Sequence, residues 1–583
     1  MEGHACPHED ILETMRKLLV AAALAGCALS PLTAYADAPG QSPAEKADPA
    51  AREISADQIE ATVQFLADDL LQGRDTGSEY YDIAAAYVAS RYRAMGLTPG
   101  VDGKWMQDIT FRKASPAEST LAIVQDGKAK ELELKTDFIT GASFTDQLID
   151  MSAPMVFVGQ GIHSPENGID DYAGLDVKGK VVVVVSGAPK GVPGDVAATL
   201  SRGKTKVASD MGAVGMISIR SKSAMESLPF EKLVGYIEGH AEKWVAPDGT
   251  VVVDAPNLKF STYLSPEAAA DLVDSSGHDL SALLDAYESE EEDAVRPTGF
   301  VIPGEVKVKA VSEWEEVTSA NVVAVLPGSD PQLADQYVVM SAHLDHVGNH
   351  LWEAGEDEDG EPKDTIYNGA LDNAAGVATM LEVARVIAEN PTAPRRPILF
   401  VALTGEEKGL LGSEYMAKYW VREDGEPVGV VNFDMPVLLY DMDDVVGFGA
   451  ENSTMGETLA AAGAATGIGV TPDFLPDENL FVRSDHYSFV KEGVPALFLM
   501  SGVENGGKEA FTNFLKTDYH GPGDDLSQPL NWESARKFAL LNYEIVKLTA
   551  NADARPMWYE GNYFGDKFDP EGPRAPAPAE AAE

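Results

Sequence analysis

From Asn321 onward, short apolar runs alternate with helical stretches, and nearly every run ends in a polar loop. NVVAVL (321–326), YVVMS (337–341), ILFVAL (398–403), VGVVNF (428–433) and PALFLM (495–500) are too short for helices. They are apolar almost throughout, the pattern of strands buried on both faces. Asn373–Ala388 reads as a helix, and a last helix is predicted near Trp532–Leu548. Strands alternating with helices predict an α/β fold with a mostly parallel, mixed sheet flanked by helices. Such sheets collect their sites at the carboxyl ends of strands. There this sequence places His, Asp and Glu.

At 583 residues the chain exceeds one ordinary core; at about 150 residues per domain it divides into two to four units. Residues 53–150 read as the amino-terminal part of the main domain. Ser55 and Gln58 fit a capping box, and Ile59, Val63, Leu66 and Leu70 recur at helical spacing. A second helix is expected over Glu79–Met95, and GRDTGS (73–78) between the two reads as a structural turn. Residues 151–305 change texture. MVFVG (155–159), VVVVV (181–185) and GAVGMISI (212–219), with turns between them, predict a β-rich insert. Residues 306–555 hold the main sheet, and Pro570–Glu583 reads as a disordered tail. His163, His240 and His278 are scattered through the insert and read as surface or packing residues.

Forty-four basic residues against 94 acidic ones give a net charge of −50. That surface repels nucleic acid and anionic membranes, so neither is expected as a partner. The two cysteines, Cys6 and Cys27, precede residue 30, which excludes a thiolate nucleophile or cysteine metal site in the body of the chain. Met15-Arg16-Lys17, the apolar run Leu18–Leu29 and Ala34-Tyr35-Ala36 fit an export signal ending at residue 36, with translation starting at Met15. The run is short of the ~20 residues a membrane span needs. A periplasmic or secreted protein is expected, and lipid anchoring at Cys27 is the lesser alternative.

Five segments carry the chemistry: SAHLDHVG (341–348) with His343 and Asp345, YNGALDNAAG (367–376) with Asp372, TGEEKGLLGS (404–413) with Glu406 and Glu407, VNFDM (431–435) with Asp434, and DYHGPGDD (518–525) with His520. Taken singly, Asp372 reads as a helix cap, His343 as a core histidine and Asp434 as a turn residue. Taken together, imidazoles and carboxylates at strand ends suit zinc, or cobalt or manganese. One catalytic zinc needs three protein ligands; five candidates suggest two ions sharing a carboxylate.

These motifs resemble the M28 family of zinc peptidases, of the co-catalytic aminopeptidase (phosphorylase/hydrolase-like) fold. LADDLLQGRDTGSEYY, RSDHYSF and YHGPGDD also match, and MVFVGQGI…DDYAGLDVKGKVVVV resembles the protease-associated (PA) domain inserted in many members. The resemblance implies two Zn2+, with Asp372 bridging, His343 and Asp434 completing one ion's shell, and Glu407 and His520 the other's. It makes Glu406 the general base and Asp345 the partner that hydrogen-bonds His343 and fixes its tautomer. His486 competes with His520, and the YH-x-P pattern favours His520. His346 and His350 read as loop histidines. Tyr519 and Asp485 are candidates for substrate binding. Lys408 and Pro436 depart from the commonest motif without removing a ligand.

The implied activity is aminopeptidase cleavage of peptides, by a metal-bridging hydroxide with Glu406 moving the proton. A carboxypeptidase or dipeptidase of the same fold is the alternative, with Arg483 a candidate for the substrate carboxylate. A non-catalytic binding module is a further one, disfavoured because all six key residues are present.

Overall fold

The computed structural model describes residues 53–289, 295–356, 360 and 362–578. The expected export segment and both cysteines lie outside these residues. Among the described residues, no helix is long and apolar enough to cross a membrane.

The predicted strands form one half of a large mixed sheet. Its order from one edge is Gly469–Thr471, Asp444–Phe448, Ala496–Ser501, Glu426–Phe433, Gln336–His343, Ile398–Leu403 and then the long strand Phe300–Leu326. Four of these neighbouring pairs are parallel; Asp444–Phe448 with Ala496–Ser501 and Phe300–Leu326 with Ile398–Leu403 are antiparallel. Every residue of Ile398–Leu403 and of Ala496–Ser501 is buried, as continuous apolar runs require. Helix Ala375–Glu389 packs on the strands beside Trp532–Asn551 and Ala56–Leu66, and these elements share one core.

Only half of the capping box forms: the Ser55 hydroxyl accepts from the Gln58 N–H, but the Ser55 N–H donates to Glu382 at 2.6 Å instead of to Gln58. The helix nevertheless ends at Leu66, and Leu70 of the helical pattern is 79% exposed. A tighter turn over Asp69–Arg74 takes over there.

The sheet continues beyond Phe300–Leu326 through Leu148–Phe157, Val181–Val185, Gly215–Ile219, Ser261–Leu264 and Phe138–Thr140. The five valines 181–185 are divided by strand alternation. Val181, Val183 and Val185 enter one core, and Val182 and Val184 enter another. The first of these cores begins at Leu121 and ends at Ala310, so the change of core precedes the expected boundary at 151. The reason is the strand Met106–Gln125, which pairs with Phe300–Leu326 from Met106–Val322 to Val124–Glu305 and runs from one core into the other. Within the expected tail, Arg574–Ala575 pairs with Trp558–Tyr559 in parallel, and residues 579–583 lie outside the described residues.

Candidate metal centre

His343 is the last residue of its strand, and Asp434 directly follows Glu426–Phe433. Glu406 and Glu407 lie just past Ile398–Leu403, in the tight turn leading to helix Leu411–Lys418. Gly412 makes this turn possible, because a Cβ there would stand 2.0 Å from the Thr404 carbonyl oxygen. Asp372 lies in a wide turn before helix Ala375–Glu389. It does not cap that helix; the Asn373 side chain accepts from the Gly376 N–H instead. Asp372 is held from behind by Asp524, whose carboxylate accepts the Leu371 and Asp372 N–H groups at 2.8 and 2.9 Å.

Parallel strand ends bring three of the ligand-bearing segments together, and the turn before helix Ala375–Glu389 and the loop after helix Gly507–Thr517 add Asp372 and His520. His343 Nε2 lies 3.0 Å from Asp434 Oδ1 and 3.1 Å from Asp372 Oδ1. On the other side, His520 Nε2 lies 3.3 Å from Asp372 Oδ2 and 3.1 Å from Glu407 Oε2. Asp372 thus turns one oxygen to each imidazole. Glu406 joins His343 and Glu407 in a group whose ligand atoms lie within 4.8 Å of one another. Donors each about 2.0–2.2 Å from one tetrahedral zinc stand roughly 3.3–3.6 Å apart. The observed separations are close to that, and the N/O donor set is one zinc accepts, so the residues fit two ions sharing Asp372.

Asp345 acts differently from expectation. His343 Nδ1 meets its backbone carbonyl, at 3.1 Å, which leaves Nε2 facing the carboxylates. The Asp345 carboxylate instead accepts the Glu406 and Glu407 N–H groups, each at 3.3 Å, and the Thr76 hydroxyl at 3.0 Å. Its side chain turns away from His343 because the two backbone donors of the Glu406–Glu407 turn converge there.

Two further expectations are corrected. His346 lies in a loop, as expected, but it is no bystander there: it is fully buried, with Nδ1 2.7 Å from Glu407 Oε1. Asp485 is buried at 0% exposure and does not line the cavity, so it cannot contact substrate. Burial pushes its carboxyl up to about 7. Its neighbour Ser484 lines the cavity and donates to Asp434 Oδ2 at 2.6 Å. His486 is buried with Nε2 2.6 Å from the Phe481 carbonyl, away from the ligand set. Tyr519 lines the cavity and stacks on His520 at 4.0 Å between ring centres.

Charge in the centre is tightly coupled. Burial opposes the charged form of His520, but hydrogen bonds to Asp372 and Glu407 outweigh it and raise its pKa to about 10. Burial likewise works against the Glu407 carboxylate, yet His346 and His520 hold it down at about 2. The His520 proton strengthens the metal-free fold fully below the free histidine pKa, about 6.5, and that contribution fades as pH rises through about 10. Zinc must displace the proton. Apparent zinc affinity therefore rises with pH between about 6 and 8, with about one proton or more released per site filled. Calorimetric titration in two buffers of different ionisation heat reads this; zinc uptake without proton release would contradict it.

A cavity of about 400 Å3 opens on Asp372, Glu406 and Asp434, a size suited to a small ligand or one side chain.

Residues 321–546, which include all five ligand-bearing segments, match Peptidase family M28. A probable zinc metalloprotease of Phaeosphaeria nodorum is 33% identical over 122 residues, 20% of this chain and 24% of that protein. Leupeptin-inactivating enzyme 1 of Streptomyces exfoliatus is 27% identical over 277 residues, 45% of this chain and 55% of that one. The solved aminopeptidase from Aneurinibacillus sp. strain AM-1 aligns over 87% of this chain and 96% of its own, at 20% identity and a TM-score of 0.49. The chain spans only 17–24% of the length of the curated relatives it matches first. With the ligand set inside it, the stretch 321–546 is similar to peptidase family M28.

Proposed function

We propose that the protein is a two-zinc aminopeptidase that removes apolar amino-terminal residues from peptides. The observation that carries the reading is the Asp372 carboxylate, with one oxygen toward His343 and Asp434 and the other toward His520 and Glu407. His343, Asp372 and Asp434 would hold one ion, and Asp372, Glu407 and His520 the other. Bound there, the ions supply the Lewis acidity that activates water and polarises a peptide carbonyl.

The chain's own residues do the rest. His343 Nδ1–H donates a hydrogen bond to the Asp345 carbonyl, which leaves Nε2 to present a lone pair to the centre. Ser484 orients Asp434. Glu406 opens on the cavity, takes the proton of the attacking water and returns it to the leaving amine.

The cavity supports the substrate class. Met435, Leu475, Leu480, Phe498, Met500 and Leu515 form an apolar wall for one side chain. Glu406 and Glu478 line the same space beyond the ligand set, and their carboxylates suit a free ammonium. Arg483, the expected grip for a substrate carboxylate, is paired with Glu478 at 3.0 Å. Arg483 and Lys516 both line the cavity and are the features that favour the carboxypeptidase alternative. Residues 15–36 are read as the export signal of a periplasmic or secreted enzyme, and the second core as a protease-associated insert.

One preparation tests the reading. Protein from the host's exported fraction has its amino terminus sequenced and is loaded with zinc. It is then offered Leu-, Phe-, Asp- and Lys-4-nitroanilides beside N-acetylated and C-terminally blocked peptides. Cleavage is expected only with a free amine and fastest for Leu and Phe, lost to chelator and restored by zinc. A requirement for a free carboxylate would move the protein to the alternative.

A further inference from the structure

The GRDT segment, residues 73–76, touches no substrate cavity and supplies no ligand, yet it binds three of the ligand-bearing loops. Arg74 is 1% exposed. Its Nε donates to the Leu344 carbonyl at 2.9 Å, one residue past His343. Its Nη1 donates to the Asn368 carbonyl at 2.6 Å and also to Leu66, and Nη2 to Gly369 at 3.1 Å, on the approach to Asp372. The Arg74 carbonyl in turn accepts the His346 N–H at 3.3 Å. Asp75 pairs with Lys408, beside Glu407, at 2.6 Å. Thr76 donates to Asp345 Oδ2, the carboxylate that holds the Glu406 and Glu407 N–H groups.

The local backbone is specialised for this reach. Gly73 has φ +72°, and a Cβ there would stand 2.4 Å from the Tyr367 carbonyl oxygen and 2.5 Å from that of Gly348. Only glycine lets the turn pass between the two segments that lead from His343 and into Asp372. Arg74 itself has φ +50°, in a turn whose Leu71, Gly73 and Thr76 are also buried. The fork of a guanidinium fixes the directions of several carbonyls at once, which an ammonium on a flexible stem cannot do.

We propose that Arg74, Asp75 and Thr76 are positioning residues that set the spacing of the His343, Asp372 and Glu406–Glu407 loops, and through it the affinity of the centre for zinc. Each link ends on a backbone group or outer partner adjacent to a ligand, not on a ligand atom. The clamp therefore orders the donors without competing for them. This inference rests on the zinc reading above, and zinc binding is measured directly so that the two fail separately.

The test compares Thr76→Val, Thr76→Ser and Arg74→Lys with the parent chain. Zinc affinity is read by competition with a chromogenic chelator, the melting temperature on metal-free protein, and kcat and KM on Leu-4-nitroanilide. Thr76→Val, which keeps the shape and removes the donor, is expected to weaken zinc binding about 10–100-fold. Its metal-free melting temperature should stay at the parent value, and at saturating zinc kcat should fall with KM little changed. Thr76→Ser should restore both zinc affinity and kcat. Arg74→Lys should weaken zinc more than Thr76→Val; if it does not fold, the Thr76 pair decides. Unchanged zinc affinity in Thr76→Val, equal loss in the Val and Ser variants, or a loss matched by a lower metal-free melting temperature would overturn the proposal. A parent that binds zinc but cleaves no peptide sinks the peptidase reading alone; a parent that binds no zinc overturns both.

Discussion

Glu406→Gln is expected to keep two zinc ions and lose about 10²–10⁴-fold of kcat, the range for removing a positioned general acid–base group. The expectation rests on the separation of roles between adjacent glutamates. Glu407 is turned toward His346 and His520, each within 3.1 Å. Glu406 faces the cavity instead. Burial, reinforced by Asp434, Glu407 and Asp485, pushes its carboxyl well above the ordinary range, although His343 pulls the other way. Zinc bound beside it would oppose that shift, so the loaded centre would keep Glu406 ionised and able to take a proton from water and pass it on. Glutamine keeps the shape and neutral hydrogen-bonding capacity but carries no proton between water and amine. Metal content by mass spectrometry and kcat on Leu-4-nitroanilide decide the matter. Turnover within tenfold of the parent would remove Glu406 from the role of base.

Asp372→Asn should have the largest effect on the centre itself. Both Asp372 oxygens face imidazoles, so one amide substitution spoils both sets of donors. The nitrogen of an amide is no ligand for a cation, and the lost negative charge weakens the field for two dications. Zinc content is expected to drop from two ions per chain to one or none, with affinity falling beyond the roughly 100-fold that loss of an outer-shell partner costs. Peptidase activity should vanish with it. The fold should survive, because Asp524 still holds the Leu371 and Asp372 N–H groups. Two ions retained at parent affinity would rule out Asp372 as the shared ligand.

What the sequence could express was local order. Runs such as ILFVAL and PALFLM are buried end to end because their apolarity has no alternation, and each became a central strand. Ser55 and Gln58 announced a helix start through a contact three residues long. The ligand residues were legible because a strand end is visible as the point where apolarity stops. His343 and Asp434 stand at that point.

Where a signal needed distance, the sequence was silent or misleading. Leu70 kept helical spacing with Leu66, yet a turn over Asp69–Arg74 replaced the helix so that Arg74 could reach carbonyls nearly 300 residues away. Asp345 looked like a side-chain partner for His343, but the N–H groups of Glu406 and Glu407, brought in by the neighbouring parallel strand, claimed its carboxylate. His346 and Asp485 carry no local mark of burial; the packing of other loops over them fixed it. The boundary of the second core shifted because one strand, Met106–Gln125, pairs along nearly its whole length with Phe300–Leu326. Residue type and spacing along the chain thus determined the strands, the first helix start and the identity of the candidate ligands. Which oxygen faces which imidazole, which carboxylate is buried and which turn clamps the centre were decided only in the tertiary structure, because those contacts join segments that no local pattern links.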